Sequence, residues 1–385
     1  MTTHIRQRYP SAAWIAALGI ALLAFSATAQ NNGSQDQITT FSVKEAGTGT
    51  GQGTQAFGVN TGGSIVGFYV DASSVSHVFL RDPDGRITTI DVTGAGTSAG
   101  QGTYAIGINT EGSIAGWYVD ADNVMHGFLR TPDGWITPFD VKGAGTAAGQ
   151  GTIAGDINDV GVIAGYYMDT NSVAHGFVRA PDGWITPFDA KGAGTAAGQG
   201  TFPQYFSCLT NAGAIAGFYA DGSNAYHGFV RDTKGEITTF DVKGAGTAAG
   251  QGTFSESINQ SEATTGYYSD TYSVAHGFKR DNHGDIITFD VKGAGTAAGQ
   301  GTLPMGNNAP DDIEGYYVDP SGVAHGFVRA TYGEITTFDA PGAGTLGPAQ
   351  GIYQGTFPMT NNAEGAISGY YVDKSYVYHG FVRNR

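Results

Sequence analysis

A chain of 385 residues with 62 glycines, and with 19 Lys and Arg against 34 Asp and Glu, carries a net charge of −15. Its basic residues are scattered, so the clustered cations that grip a phosphate backbone are missing and nucleic acid is excluded as a partner. The single cysteine, Cys208, excludes an internal disulfide, and in Phe202-Pro203-Gln204-Tyr205-Phe206-Ser207-Cys208 it reads as a small buried structural residue.

The first element is a leader. Arg6 and Arg8 precede an apolar stretch over residues 11–25, and Ala27-Thr28-Ala29 has the small-x-small form of a signal-peptidase site. At about 15 residues the stretch falls short of the roughly 20 that span a bilayer as a helix. Cleavage after Ala29 is expected, followed by a short linker to residue 37. The mature chain is then exported to the periplasm or beyond, with no membrane span and a still more acidic balance.

One domain is expected over residues 38–385, built from seven near-identical units. They open at Ile38, Ile87, Ile136, Ile185, Ile237, Ile286 and Ile335, 49 residues apart except for 52 between Ile185 and Ile237. The second unit begins with the β-branched run Ile87-Thr88-Thr89-Ile90-Asp91-Val92. A glycine-rich loop over 94–103 follows, and then strand candidates over 104–109, 113–120 and 124–130. Turn residues Thr110-Glu111-Gly112, Ala121-Asp122-Asn123 and Pro132-Asp133-Gly134 punctuate them.

Four short strands per unit, seven times over and with no helical period, predict an all-β seven-bladed β-propeller of four-stranded blades. The chain opens on a copy of the Ile-Thr-Thr strand and ends at Phe381-Val382-Arg383, which would precede that strand. The N-terminal strand should therefore complete the last blade and close the ring. An open solenoid would show polar terminal caps, which these end units lack.

Each unit places an Asp six residues before a His: Asp71 and His77, Asp120 and His126, Asp169 and His175, Asp221 and His227, Asp270 and His276, Asp319 and His325, Asp373 and His379. Constant spacing implies a constant hairpin. Antiparallel register then sets Tyr118 opposite His126 and Gly116 opposite Phe128. The Asp and His either tie the hairpin down or form sevenfold binding sites at the rim. One His per unit is too few for a structural zinc site, so neither metal nor cofactor is expected.

The loop Gly-Ala-Gly-Thr-Ala-Ala-Gly-Gln-Gly-Thr is identical at 143–152, 192–201, 244–253 and 293–302. Recent duplication or a shared binding role would each produce that identity. A phosphate cradle would not, because no Lys-Ser/Thr pair and no helix follow the glycines. The seventh copy, over 344–356, and the fourth unit depart from the pattern, and any unique site belongs there.

Units of the form Ile-Asn-x-x-Gly-x-Ile-Ala-Gly followed by His-Gly-Phe, at 108–116 with 126–128 and at 157–165 with 175–177, resemble the bacterial extracellular repeats called the HAF family, named from a His-x-Phe motif. The resemblance covers roughly residues 38–385. The first unit departs from it with His77-Val78-Phe79, and the Ile-Asn step is degenerate in the fourth, sixth and seventh. It implies export and no established activity.

A catalytic residue placed once, away from its symmetry mates, is not found. The sequence therefore points to a monomeric, non-catalytic module that binds a glycan, an envelope component or an extracellular protein through equivalent sites. The alternative is a polysaccharide lyase or glycosidase, which needs paired carboxylates. Asp311, Asp312 and Glu314 are the only acidic cluster that breaks the pattern, and they read as a solvated turn.

Overall fold

The computed structural model describes residues 37–204 and 207–384, so the expected leader lies outside the described residues. Strands are the only regular elements among them. After β1 (Gln37–Phe41), the first full unit runs β2 (Gly53–Val59), β3 (Ile65–Val70), β4 (Ser76–Arg81) and β5 (Ile87–Ile90). These four pair as an antiparallel meander, and later units repeat it. The register is the one that the Asp and His spacing predicts, with Tyr118 opposite His126 and Gly116 opposite Phe128.

The last strand, Tyr378–Asn384, would be left with a bare edge, and β1 fills it: Ile38 pairs with Arg383 and Phe41 with Gly380. β2 then meets the start of that same strand through a parallel bridge from Gly53 to Tyr378. The strands thus form a closed all-β ring in which the first and last segments share a unit.

Glycine and phenylalanine pack the units. A Cβ on Gly116 would lie 2.8 Å from the Phe128 ring, and the seven phenylalanines of this type are fully buried. The glycine of His-Gly-Phe has its own duty, because Gly127 pairs with Phe139 of the outer strand and lies beneath that ring. This explains the departure in the first unit. Val78 replaces the glycine there, and its partner is Ile90 rather than phenylalanine, so added bulk on one strand is matched by lost bulk on the other.

Each outer-strand phenylalanine also joins the next unit. Phe139 meets Phe177 edge-on at 6.1 Å, and the Arg179 guanidinium lies 4.9 Å from the Phe139 ring centre. Phe41 of β1 makes the same contacts, 5.8 Å to Phe79 and 5.0 Å to Arg81. β1 is therefore the outer strand of the seventh unit in its packing as well as its pairing.

Buried asparagines run around one end of the ring. Asn60 Nδ2 donates to Asn109 O, Asn109 to Asn158 O, Asn158 to Thr210 O, Asn259 to Asn308 O, Asn308 to Asn362 O, and Asn362 back to Asn60 O, all at 2.9–3.1 Å. The Ile-Asn step is thus a hydrogen-bonded hoop. The degenerate sixth and seventh units keep it through Asn308 and Asn362, while Thr210 has no amide to pass on.

On the first strands of four different units, Phe57, Ile106, Met305 and Met359 join one buried cluster. The fourth unit is irregular at this level. Its first strand is only Gly200–Pro203, and Cys208 is fully buried beside Leu209 and Ile215, as its composition predicts.

Candidate ligand-binding face

Strand direction places the glycine-rich loops and the Asp-containing turns at the same end of the ring. In each unit the turn Asp caps its own hairpin: Asp120 Oδ1 accepts from the Asp122 and Val124 amides at 2.9 and 2.8 Å. The neighbouring His stacks flat on the Tyr it pairs with, at 4.8–5.0 Å between ring centres in all seven units.

The imidazole is held between two carboxylates. His126 Nε2 lies 3.3 Å from Asp120 Oδ2, and Nδ1 lies 3.0 Å from Asp140 Oδ2. The second carboxylate, at the end of the outer strand, is absent from the Asp and His spacing and was not singled out in the sequence. Its signal was the constant Asp of Ile-Thr-Thr-Phe-Asp. The same arrangement joins His77 to Asp91, His175 to Asp189, His227 to Asp241, His276 to Asp290 and His325 to Asp339 at 2.8–3.0 Å. In the seventh unit Ser42 of the N-terminal segment takes this place, with Oγ 2.9 Å from His379 Nδ1.

Electrostatics follows the geometry. Burial alone would lower the His325 pKa, but Asp319 and Asp339 push it up to about 9. Burial would likewise raise Asp319, but His325 and the Val323 amide bring it down to about 2. His126 is raised and Asp120 lowered by the same balance. In the second unit both ring nitrogens of His126 are committed, so this His serves to fix two carboxylates, while in His77, His175 and His276 the Nε2 stands 3.6–3.8 Å from the turn Asp. The outer one, Asp140 or its equivalent, is about half exposed and faces solvent. Among the described residues no three metal-ligating side chains converge.

The identical loops also carry structural duties. Gln101 folds back so that Oε1 accepts from the Ser98 amide at 3.0 Å, and Nε2 donates to Ala121 O of the adjacent turn at 3.1 Å. Thr103, fully buried, accepts from the Val92 amide at 3.1 Å. Gly102 has φ +112°, and a Cβ there would sit 2.1 Å from Ser76 O of the preceding unit. The loop sequence is therefore required by closure from one unit to the next.

A second aromatic stands beside each of these tyrosines: Phe68, Trp117, Tyr166, Phe218, Tyr267, Tyr316 and Tyr370. The pleat sends it to the opposite face. There Phe68 meets Tyr104 of the next unit at 5.0 Å, and Tyr104 stacks on Trp117 at 5.3 Å. The ladder continues through Tyr166, Phe202, Phe218, Phe254 and Tyr267.

The acidic cluster of the sixth unit is not a solvated turn. Asp311 pairs with Lys279, Asp312 accepts from the Thr331 amide at 3.0 Å, and Glu314 is fully buried. Glu314 stands on a strand opposite Gly306, at the place held by Ala115 and Ala164 in other units, and the missing Gly306 side chain makes room for it. Burial pushes its pKa up to about 8. Glu256, on the inner strand of the fifth unit beside Gln204, is likewise raised to about 8, and Asp156 to about 7, both chiefly by burial. Burial also raises the Cys208 thiol well above its ordinary value, the reverse of an activated nucleophile.

No protein-family model and no curated protein sequence matches the chain. Among solved structures it is similar to the BP39L lectin from Burkholderia pseudomallei, with a TM-score of 0.54 at 11% identity, covering 86% of this chain and 94% of that one. It is also similar to the Aleuria aurantia lectin, described as a six-bladed β-propeller, with a TM-score of 0.43 at 14% identity over 80% and 98% of the two chains. A puromycin hydrolase variant has a TM-score of 0.33 at 10% identity, covering 82% of this chain and 58% of its own. At these identities the likeness to the first lectin is one of fold.

Proposed function

We propose that the chain is an exported, non-catalytic carbohydrate-binding module built as a seven-bladed β-propeller of HAF-type repeats. The observation that carries this reading is the repeated pair of carboxylates set about a His beside a stacked Tyr, on the loop face of every complete unit. Fixed, half-exposed acceptor oxygens suit adjacent sugar hydroxyls, and equivalent sites around a ring gain avidity against a repetitive ligand. The fold shared with a lectin supports the same class.

A glycan-array screen of residues 30–385, with calcium and with chelator, tests it. Binding with a calorimetric stoichiometry well above one is the expected result. A stoichiometry of one would move the site to the irregular fourth or seventh unit, and a clean negative would turn the search to a protein ligand.

A further inference from the structure

The residues that recur from unit to unit are spent on folding: Asn on the hoop in six units, Gln and Thr on the loop in all seven, and His on its Asp partners. Side chains that vary at one repeated position, and that the fold does not need, are the remaining candidates for recognition. The position just before the outer strand is such a place. It holds Arg86, Trp135, Trp184, Glu236, Asp285 and Glu334 in successive units. Charged residues serve there in four of these units, so packing does not call for tryptophan in the other two.

Both indoles stand in solvent, Trp135 at 75% and Trp184 at 74% exposure, while their backbones are pinned. Trp135 O accepts from the Thr131 amide at 2.9 Å, and Trp184 O from the Ala180 amide at 2.8 Å. The turns that carry them lie at the end of the ring away from the glycine-rich loops, because the outer strand runs from Trp135 towards Asp140. Tyr332, at 82% exposure, stands in the equivalent turn of the sixth unit.

We propose that Trp135 and Trp184 form a second binding site, a two-indole platform on which a neutral polysaccharide chain stacks. It rests on the reading above for the class of ligand only, since it shares no residue with the loop face. An aromatic face carried on a hydrogen-bonded turn offers the C–H face of a pyranose a flat apolar surface. Two such faces on successive units call for a ligand that spans both, hence a chain rather than a single sugar. The flanking Asp133 and Asp182 and the net charge of −15 disfavour acidic glycans and anionic lipid surfaces. Those same polar turns interrupt the apolar surface that a protein partner would bury.

The test uses Trp135→Arg and Trp184→Glu, singly and together, because the first and fourth units already carry those residues at this position. Mobility is measured in native gels cast with galactomannan, xyloglucan or dextran. Retardation of the parent chain in at least one gel is expected, with each substitution weakening affinity about tenfold. A blue shift of tryptophan emission on adding that polysaccharide should vanish in the double variant, which retains Trp117. An Asp140→Ala and Asp189→Ala variant on the loop face should keep the retardation. The proposal is overturned by a double variant as retarded as the parent, by retardation lost only in the loop-face variant, or by no retardation in any gel. Sedimentation and phosphatidylglycerol vesicles then identify a second copy or a lipid surface as the occupant that displaces it.

Discussion

Asn362 Nδ2 donates to Asn60 O at 2.9 Å, and this contact between residues 302 apart closes the asparagine hoop. Both residues are buried, so removing the amide takes one of two donors from the Asn60 carbonyl, which keeps the Gly63 amide, and leaves the Ala366 amide without its Asn362 acceptor. Asn362→Ala should lower stability by about 1–3 kcal/mol, while the exposed control Lys374→Ala should be neutral. Urea denaturation curves of the two variants check this, and an equal effect in both would show that the hoop does not hold the ring.

The exchange of bulk between Val78 and Ile90 predicts a coupled pair. Ile90→Phe alone forces a ring against Val78 and should cost about 1–3 kcal/mol. Adding Val78→Gly should recover most of that loss and bring the new ring near Arg130, as at the other unit junctions. A double-mutant cycle on thermal unfolding reads the coupling, and additive losses would refute the packing argument.

Ser42 stands where six units have the outer Asp, so the closing unit has the weakest clasp on its His. Ser42→Asp should pair with His379 and stabilise the ring by about 0.5 kcal/mol, with the gain reduced at high salt. Thermal unfolding at low and high ionic strength decides it, and a gain that ignores salt would point to another cause.

Stability should also depend on pH in a defined sense. Asp156, Glu256 and Glu314 hold their protons in the folded chain up to about pH 7–8, whereas the unfolded chain releases them near the ordinary carboxylate values of 3.8–4.5. The folded state therefore binds more protons between these limits, and stability falls as pH rises from about 4.5 to 8. His325 adds stability that is complete below about 6.5 and lost as pH rises through about 9. Asp319 adds stability that is present above 3.8 and lost as pH falls through about 2. The melting temperature should peak in mild acid, and Glu314→Gln should flatten its alkaline decline. A melting temperature that climbs from pH 5 to 8 would contradict this assignment.

Periodicity made the ring and its hairpins legible, because a constant separation between Asp120 and His126 admits one register. The second carboxylate on each His had a signal of its own, since Asp140 follows His126 by 14 residues and five other units repeat that separation, but the two lie on different strands and only the hairpin register shows that they meet. Glu314 was misread for a related reason. Acidic residues ordinarily mark solvent, and only the bare Gly306 across the strand, invisible without the register, makes a cavity for the carboxyl group. The asparagines were noticed as a motif, but their hoop needs the curvature of the whole ring to bring each amide to the next unit.

The seam falls inside a unit, and the N-terminal strand packs on the first unit as every other outer strand packs on its neighbour. A chain gaining or losing one 49-residue unit would therefore arrive at its end in the same phase and still offer the same strand to the same edge. Closure of this kind does not count. Any limit on the number of units comes from packing between them, as where Phe57, Ile106, Met305 and Met359 of four units meet in one buried cluster.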